Sequence, residues 1–105
     1  MKKVIGLLSI LIFAAMISLG QTAKEWNKQG VDHFKKLEYK QAYECFTKAI
    51  DVDPNYAEAY YNRANTWFQL PANSYPNTDG CEDLKKAKSL GFKNVEAKMK
   101  EFGCL

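Results

Sequence analysis

Sliding the sequence along itself by 34 residues lays like on like: Trp26 falls on Tyr60, Gly30 on Ala64, His33 on Trp67 and Phe34 on Phe68. An internal period constrains a chain more than local propensity does, because units that recur must bury their apolar faces against one another. Beyond Phe68 the register changes, and Ala42, Phe46 and Ala49 find their matches 38 residues on, at Gly80, Leu84 and Ala87. The second copy is therefore four residues longer than the first. The extra length falls in QLPANSYPNTDGC, Gln69 to Cys81, where two prolines, two asparagines and a glycine break the pattern.

Inside each copy the spacing is helical. Trp26, Gly30, His33 and Phe34 step by four, three and one, which gathers them on one side of a helix, and Ala42, Phe46 and Ala49 do the same on a second. Thr22 followed by Glu25 reads as a capping box, in which hydroxyl and carboxylate each take a free backbone amide at a helix start. Asp53-Pro54-Asn55 ends the second helix, since proline has no N–H and disfavours helical geometry in the residue before it. A third helix is expected from about Asn55 to Gln69. Pro71 forbids its continuation, Asp79 to Glu82 start a fourth, and Gly91 suits a left-handed closing turn. Val95, Met99 and Phe102 stand at helical spacing in a short terminal helix over 94–103. The small residues Gly30, Ala42, Ala49, Ala64, Gly80 and Ala87 let neighbouring helices approach while aromatics fill the space beside them.

These residues carry a family resemblance. Trp26, Gly30, Ala42, Phe46, Ala49 and Pro54, then Tyr60, Ala64 and Trp67, resemble the tetratricopeptide repeat, a helix-turn-helix unit of 34 residues. The likeness spans 23–70 tightly and 71–90 across the insertion. It departs at Gln29 and His33, where the family usually carries leucine and tyrosine. The expected fold is all-α: a short α-solenoid with repeat one at 23–56, repeat two at 57–91 with the insertion inside 69–80, and a capping helix at 94–103. The ending CEDLKKAKSLG, with a short helix and a cysteine after it, also resembles small exported bacterial proteins of this kind. In such stacks the first helix of each pair lines a concave groove for a peptide or partner protein. Here that face would present Asn27, Val31, Phe34, Lys35, Tyr61, Asn62, Asn65, Phe68 and Gln69, with Phe34 and Phe68 equally suited to the core. Amides and phenols on that face can hydrogen-bond a peptide backbone with little dependence on its sequence. Asn62 matches one asparagine of the family's carboxylate clamp. The clamp's other first-repeat positions fall at Asn27 and Val31, and its third-repeat basic residues have no counterpart, so gripping a peptide's C-terminus is not expected.

The ends of the chain bear on compartment and stability. Lys2 and Lys3 precede an uncharged apolar run, Val4 to Leu19, that closes on Ser18-Leu19-Gly20. This is the build of a secretory signal peptide over 1–20, cleaved after Gly20, with a retained inner-membrane anchor as the alternative. Export to a periplasmic or extracellular space follows from the first reading. Without the two lysines, 21–105 carries thirteen basic and twelve acidic residues, which gives nucleic-acid binding little electrostatic support. The lysines at 85, 86, 88, 93, 98 and 100 read as a solvated face. Two repeats and a cap are fewer than the roughly three units such stacks need. If the fourth and capping helices turn near Phe92, Cys81 lies eleven residues before it and Cys104 twelve after, so equal arms bring them together. An oxidising compartment would then allow a Cys81–Cys104 disulfide worth roughly 3 kcal/mol, against a total stability of about 5–15 kcal/mol. Cys45 is left as a buried, inert thiol.

No catalytic constellation is legible. His33 is the one histidine and falls where an aromatic packs in the core. The cysteines lack metal-site spacing, and phosphate-loop and nucleophile-elbow motifs are absent. Glu82 and Asp83 adjoin, but helix neighbours point about 100° apart and cannot work as a paired acid and base. The chain reads as a non-enzyme needing no cofactor or metal. The expected function is a protein–protein interaction module of the cell envelope, and the alternative is a small homo-oligomer assembled through exposed repeat faces. Tyr75, in the long loop, either folds back onto the helices or faces a partner, and packing is the favoured expectation.

Overall fold

The computed structural model describes residues 20–105. The signal segment anticipated for 1–20 lies outside them but for its last residue. Among the described residues the chain forms five helices and no strand: α1 Ala23–Lys35, α2 Tyr39–Val52, α3 Ala57–Gln69, α4 Gly80–Ser89 and α5 Val95–Glu101. Each packs on the next, and α1 also reaches α3.

The helix ends follow local chemistry. Thr22 Oγ1 accepts the Glu25 amide at 3.1 Å, the hydroxyl half of the anticipated box. Asp79 caps α4 by accepting from the Cys81 amide at 2.8 Å. Helix α3 begins two residues later than the proline signal implied. The Asp53 carboxylate draws the Asn55 amide into a turn at 3.0 Å, and the helix waits until Ala57. Three helices close on the same device, a left-handed residue after the cap whose neighbour donates back five residues. Glu38 N–H meets His33 O at 2.9 Å, Phe92 N–H meets Ala87 O at 3.0 Å and Cys104 N–H meets Met99 O at 2.7 Å. Glycine fills the left-handed position after α4 and α5, at Gly91 and Gly103, whereas Leu37 fills it after α1 with φ 63°. Gly103 also explains why α5 stops at Glu101, short of the anticipated 103.

Packing of the two helices within each repeat uses small residues as spacers. A Cβ on Gly30 would overlap the Phe46 ring, and one on Gly80 would come within 2.7 Å of Phe68. Phe46 and Leu84, equivalent positions of the two copies, are buried to 1 % and 0 % exposure. Complete burial of such side chains contributes roughly 1.5–3 kcal/mol each. The larger core joins Tyr60 and Ala64 of α3, Leu84 and Ala87 of α4, and Val95 and Met99 of α5. A smaller one, Ala23, Ala49 and Ala59 beside Trp26 and Tyr56, ties the repeats together at the other end.

His33 departs from the expectation of a core aromatic. It stands at the α1–α2 corner, 36 % exposed, with Nδ1 3.1 Å from Glu38 Oε1. The tight turn at Leu37 brings a carboxylate alongside, and an imidazole keeps more by pairing there than by burial.

Candidate functional site

The face shared by α1 and α3 holds a recess of about 100 Å³ lined by Val31, Phe34, Phe46, Asn62 and Asn65. Its walls are almost wholly apolar, because the amides beside it are turned to one another. Asn62 Nδ2 donates to Asn27 Oδ1 at 3.0 Å, and Asn27 is buried to 5 % exposure. The Thr66 hydroxyl takes the Asn62 carbonyl at 2.8 Å, which steadies that turn of α3. Asn65 Oδ1 is buried with no hydrogen-bond partner among the described residues, a costly state for a polar atom.

The nine residues anticipated for a binding face fall into three sets. Val31, Phe34, Asn62 and Asn65 line the recess and Asn27 supports it. Lys35 and Gln69 are exposed near the C-terminal ends of their helices, outside the recess lining. Tyr61 and Phe68 are covered by the C-terminal segment. Tyr61 packs on Phe92 with ring centres 4.6 Å apart, and Phe68 lies against Phe102 at 3.9 Å with the rings 3° from parallel. Phe34 meets the edge of Tyr39 with ring centres 5.2 Å apart, while Phe68 packs against the larger core.

A second cluster was not visible in the sequence. Arg63 makes a two-pronged pair with Asp83, Nε to Oδ2 and Nη2 to Oδ1 both at 2.8 Å, with side chains 13 % and 8 % exposed. Its third nitrogen reaches Thr47 at 3.4 Å, and the guanidinium lies 5.7 Å from the Tyr43 ring centre and 5.9 Å from that of Tyr60. Burial pulls against the positive charge, but the Asp83 carboxylate more than offsets it and holds the guanidinium above its ordinary range. The long loop closes over this cluster. Tyr75 stacks on Tyr43 at 3.8 Å, and the Tyr43 hydroxyl donates to Thr78. Packing, rather than display, is thus the fate of Tyr75. An arginine between Tyr60 and Ala64 on an apolar helix face was the signal available, since a charge there demands a partner. Asp83 is that partner, while Glu82 stays outside with Lys85 at 3.2 Å.

Arg63 and Asp83 neutralise each other, with the Thr47 hydroxyl and the Tyr43 and Tyr60 rings beside the guanidinium. Among the described residues no cluster of His, Cys, Asp and Glu could hold a metal, and no helix is long and apolar enough to cross a membrane. Three lysines of the C-terminal series are engaged, Lys85 with Glu82, Lys88 with Glu96 at 2.8 Å and Lys98 with Glu101 at 3.1 Å. Cys81 and Cys104 are joined in the structure with Cα atoms 5.4 Å apart. Cys45 is buried, and that burial pushes its thiol up, keeping it in the unreactive protonated form.

Comparison with known proteins agrees with the repeat. A family model described as TPR repeat matches residues 32–70. The chain is 40 % identical over 75 residues to a tetratricopeptide repeat protein 36 homolog of Nematostella vectensis, covering 71 % of this chain and 39 % of that protein. It is 39 % identical over 70 residues to a STIP1 homolog of Dictyostelium discoideum, covering 67 % and 12 %. With the human small glutamine-rich tetratricopeptide repeat-containing protein beta it shares 43 % over 42 residues, 40 % of this chain and 14 % of that one. The chain thus spans at most about two fifths of the length of these relatives.

Proposed function

The chain is a tetratricopeptide-repeat protein, and from that premise we propose that it is a non-enzymatic interaction module holding an extended segment of a partner protein against α1 and α3. The observation that carries this is the recess itself. Val31, Phe34 and Phe46 offer an apolar seat for one small side chain, and the Asn62 and Asn65 amides stand beside it. Seating an apolar side chain removes it from water, while an adjacent amide bonds the backbone that carries it. The asparagine pair also favours an uncharged stretch over a chain terminus, because Asn27 and Asn62 satisfy each other without contributing positive charge.

Export belongs to the same proposal: residues 1–20 act as a signal, removal after Gly20 frees the repeats, and the partner is an envelope or secreted protein. Capture of partners from the envelope fraction on immobilised protein tests the binding face. Val31→Glu combined with Asn65→Ala, with helicity checked by circular dichroism, should abolish recovery of a partner that the parent chain retains. Equal recovery by both proteins would refute the groove. N-terminal sequencing of the mature protein should begin at Gln21.

A further inference from the structure

The C-terminal tail roofs one end of the helix face that borders the recess. Tyr61, Asn65 and Phe68 follow at spacings of four and three along α3 and so share a face. Asn65 borders the open recess, while Phe68, about 4.5 Å further along the axis, is partly covered by Phe102. Phe102 sits at the end of α5, whose 7 residues are too few for a helix to persist alone in water. The core under α5 comes from Val95 and Met99 meeting Leu84, one to two turns before the tail. The tail is held by the Cys104 amide on the Met99 carbonyl, by Phe102 and Cys104 packing on the edge of that core, and covalently by the Cys104 sulfur, two residues past Phe102 and joined to Cys81 in the first turn of α4. Both cysteines are partly exposed, so a thiol from solution can reach them.

From these contacts we propose that residues 102–105 form a redox-released latch over the binding face. With the sulfurs joined, Phe102 closes the Phe68 end. With them reduced, the tail leaves and the apolar seat lengthens from Asn65 to Phe68, giving room for a second apolar side chain of the same partner segment. The inference rests on the groove reading above. The reductant is a dithiol. One of its thiolates attacks a sulfur of the Cys81–Cys104 bond, forms a mixed disulfide and expels the other cysteine as a thiolate, which takes up a proton. The second thiol of the reductant then displaces the remaining cysteine and closes its own disulfide, so two electrons and two protons pass to the chain.

The test compares the oxidised full chain with the chain held in dithiothreitol. Reduction should abolish the ring-to-ring nuclear Overhauser contact between Phe68 and Phe102. It should also speed exchange of the Cys104 amide by about tenfold or more, leave the Ala64 and Leu84 amides protected, and raise binding of the apolar dye anilinonaphthalene sulfonate. Phe102→Ala in the oxidised chain should raise dye binding without reduction. A ring contact that survives reduction would overturn the latch, and so would loss of overall helicity on reduction, which would make the bond a staple for the whole fold. Failure of the groove reading looks different. Partner recovery would then ignore Val31→Glu with Asn65→Ala even while the tail opens as described.

Discussion

Leu37 occupies a backbone region that L side chains enter at a cost of roughly 1–2 kcal/mol, and at 71 % exposure its side chain recovers little by burial. Glycine fills the corresponding position after α4 and after α5. Replacing Leu37 with glycine should therefore stabilise the chain by about 0.5–1 kcal/mol, after the extra freedom glycine gives the unfolded state is subtracted; urea denaturation measures it. The tyrosines make a second residue-scale prediction. Tyr43, Tyr56, Tyr60 and Tyr75 all have hydroxyls raised above the ordinary 10.0, mainly because burial penalises the phenolate. A raised folded value means the folded state holds its proton longer. The stabilisation is thus complete below pH 10 and is lost as pH climbs through the folded values. Melting temperature should stay level from pH 7 to 9 and fall above 10, less steeply in Tyr43→Phe.

Helix placement was legible because its signals are local: a hydroxyl at Thr22, a proline at 54, an aspartate at 79 and a glycine at 91 each act on amides within a turn. The insertion too was legible, as a change of register. Contacts that depend on what arrives from another element were not. His33 looked like core because its repeat equivalent is Trp67, yet the corner supplied Glu38. The family resemblance places Tyr61 on the groove face and suits Phe68 equally to groove or core, yet the tail supplies Phe92 and Phe102 to pack on them. That Val31, Phe34, Asn62 and Asn65 share one recess was readable, since both repeats contribute to it in register. The spacer glycines carry the prediction at this scale. Gly30→Ala gains about 1 kcal/mol of helix propensity, but its methyl overlaps Phe46, which is 1 % exposed and has nowhere to go. Net destabilisation of about 1–3 kcal/mol is expected from overpacking, readable as a lower denaturant midpoint with an unchanged slope.

At the scale of the molecule, stacked repeats ordinarily exchange stability only with the units beside them, so a two-repeat array is free to come apart at its seam. Arg63 changes that. From α3 it grips Asp83 of α4, reaches Thr47 of α2 and lies near Tyr43, on which the loop rests through Tyr75. The ion pair itself lies within the second repeat, and opening the seam would strip the same guanidinium of its contacts with Thr47 and Tyr43 of the first. Asp83→Ala should cost about 3–5 kcal/mol, as is usual when a buried ion pair loses one member, with calorimetry as the measurement. The parent chain should melt in a single transition whose van't Hoff and calorimetric enthalpies agree, while Asp83→Ala should broaden it as the C-terminal helices loosen first. One guanidinium thereby couples the closure of the second repeat to its seam with the first, so that the two loosen together and a protease meets few half-open forms.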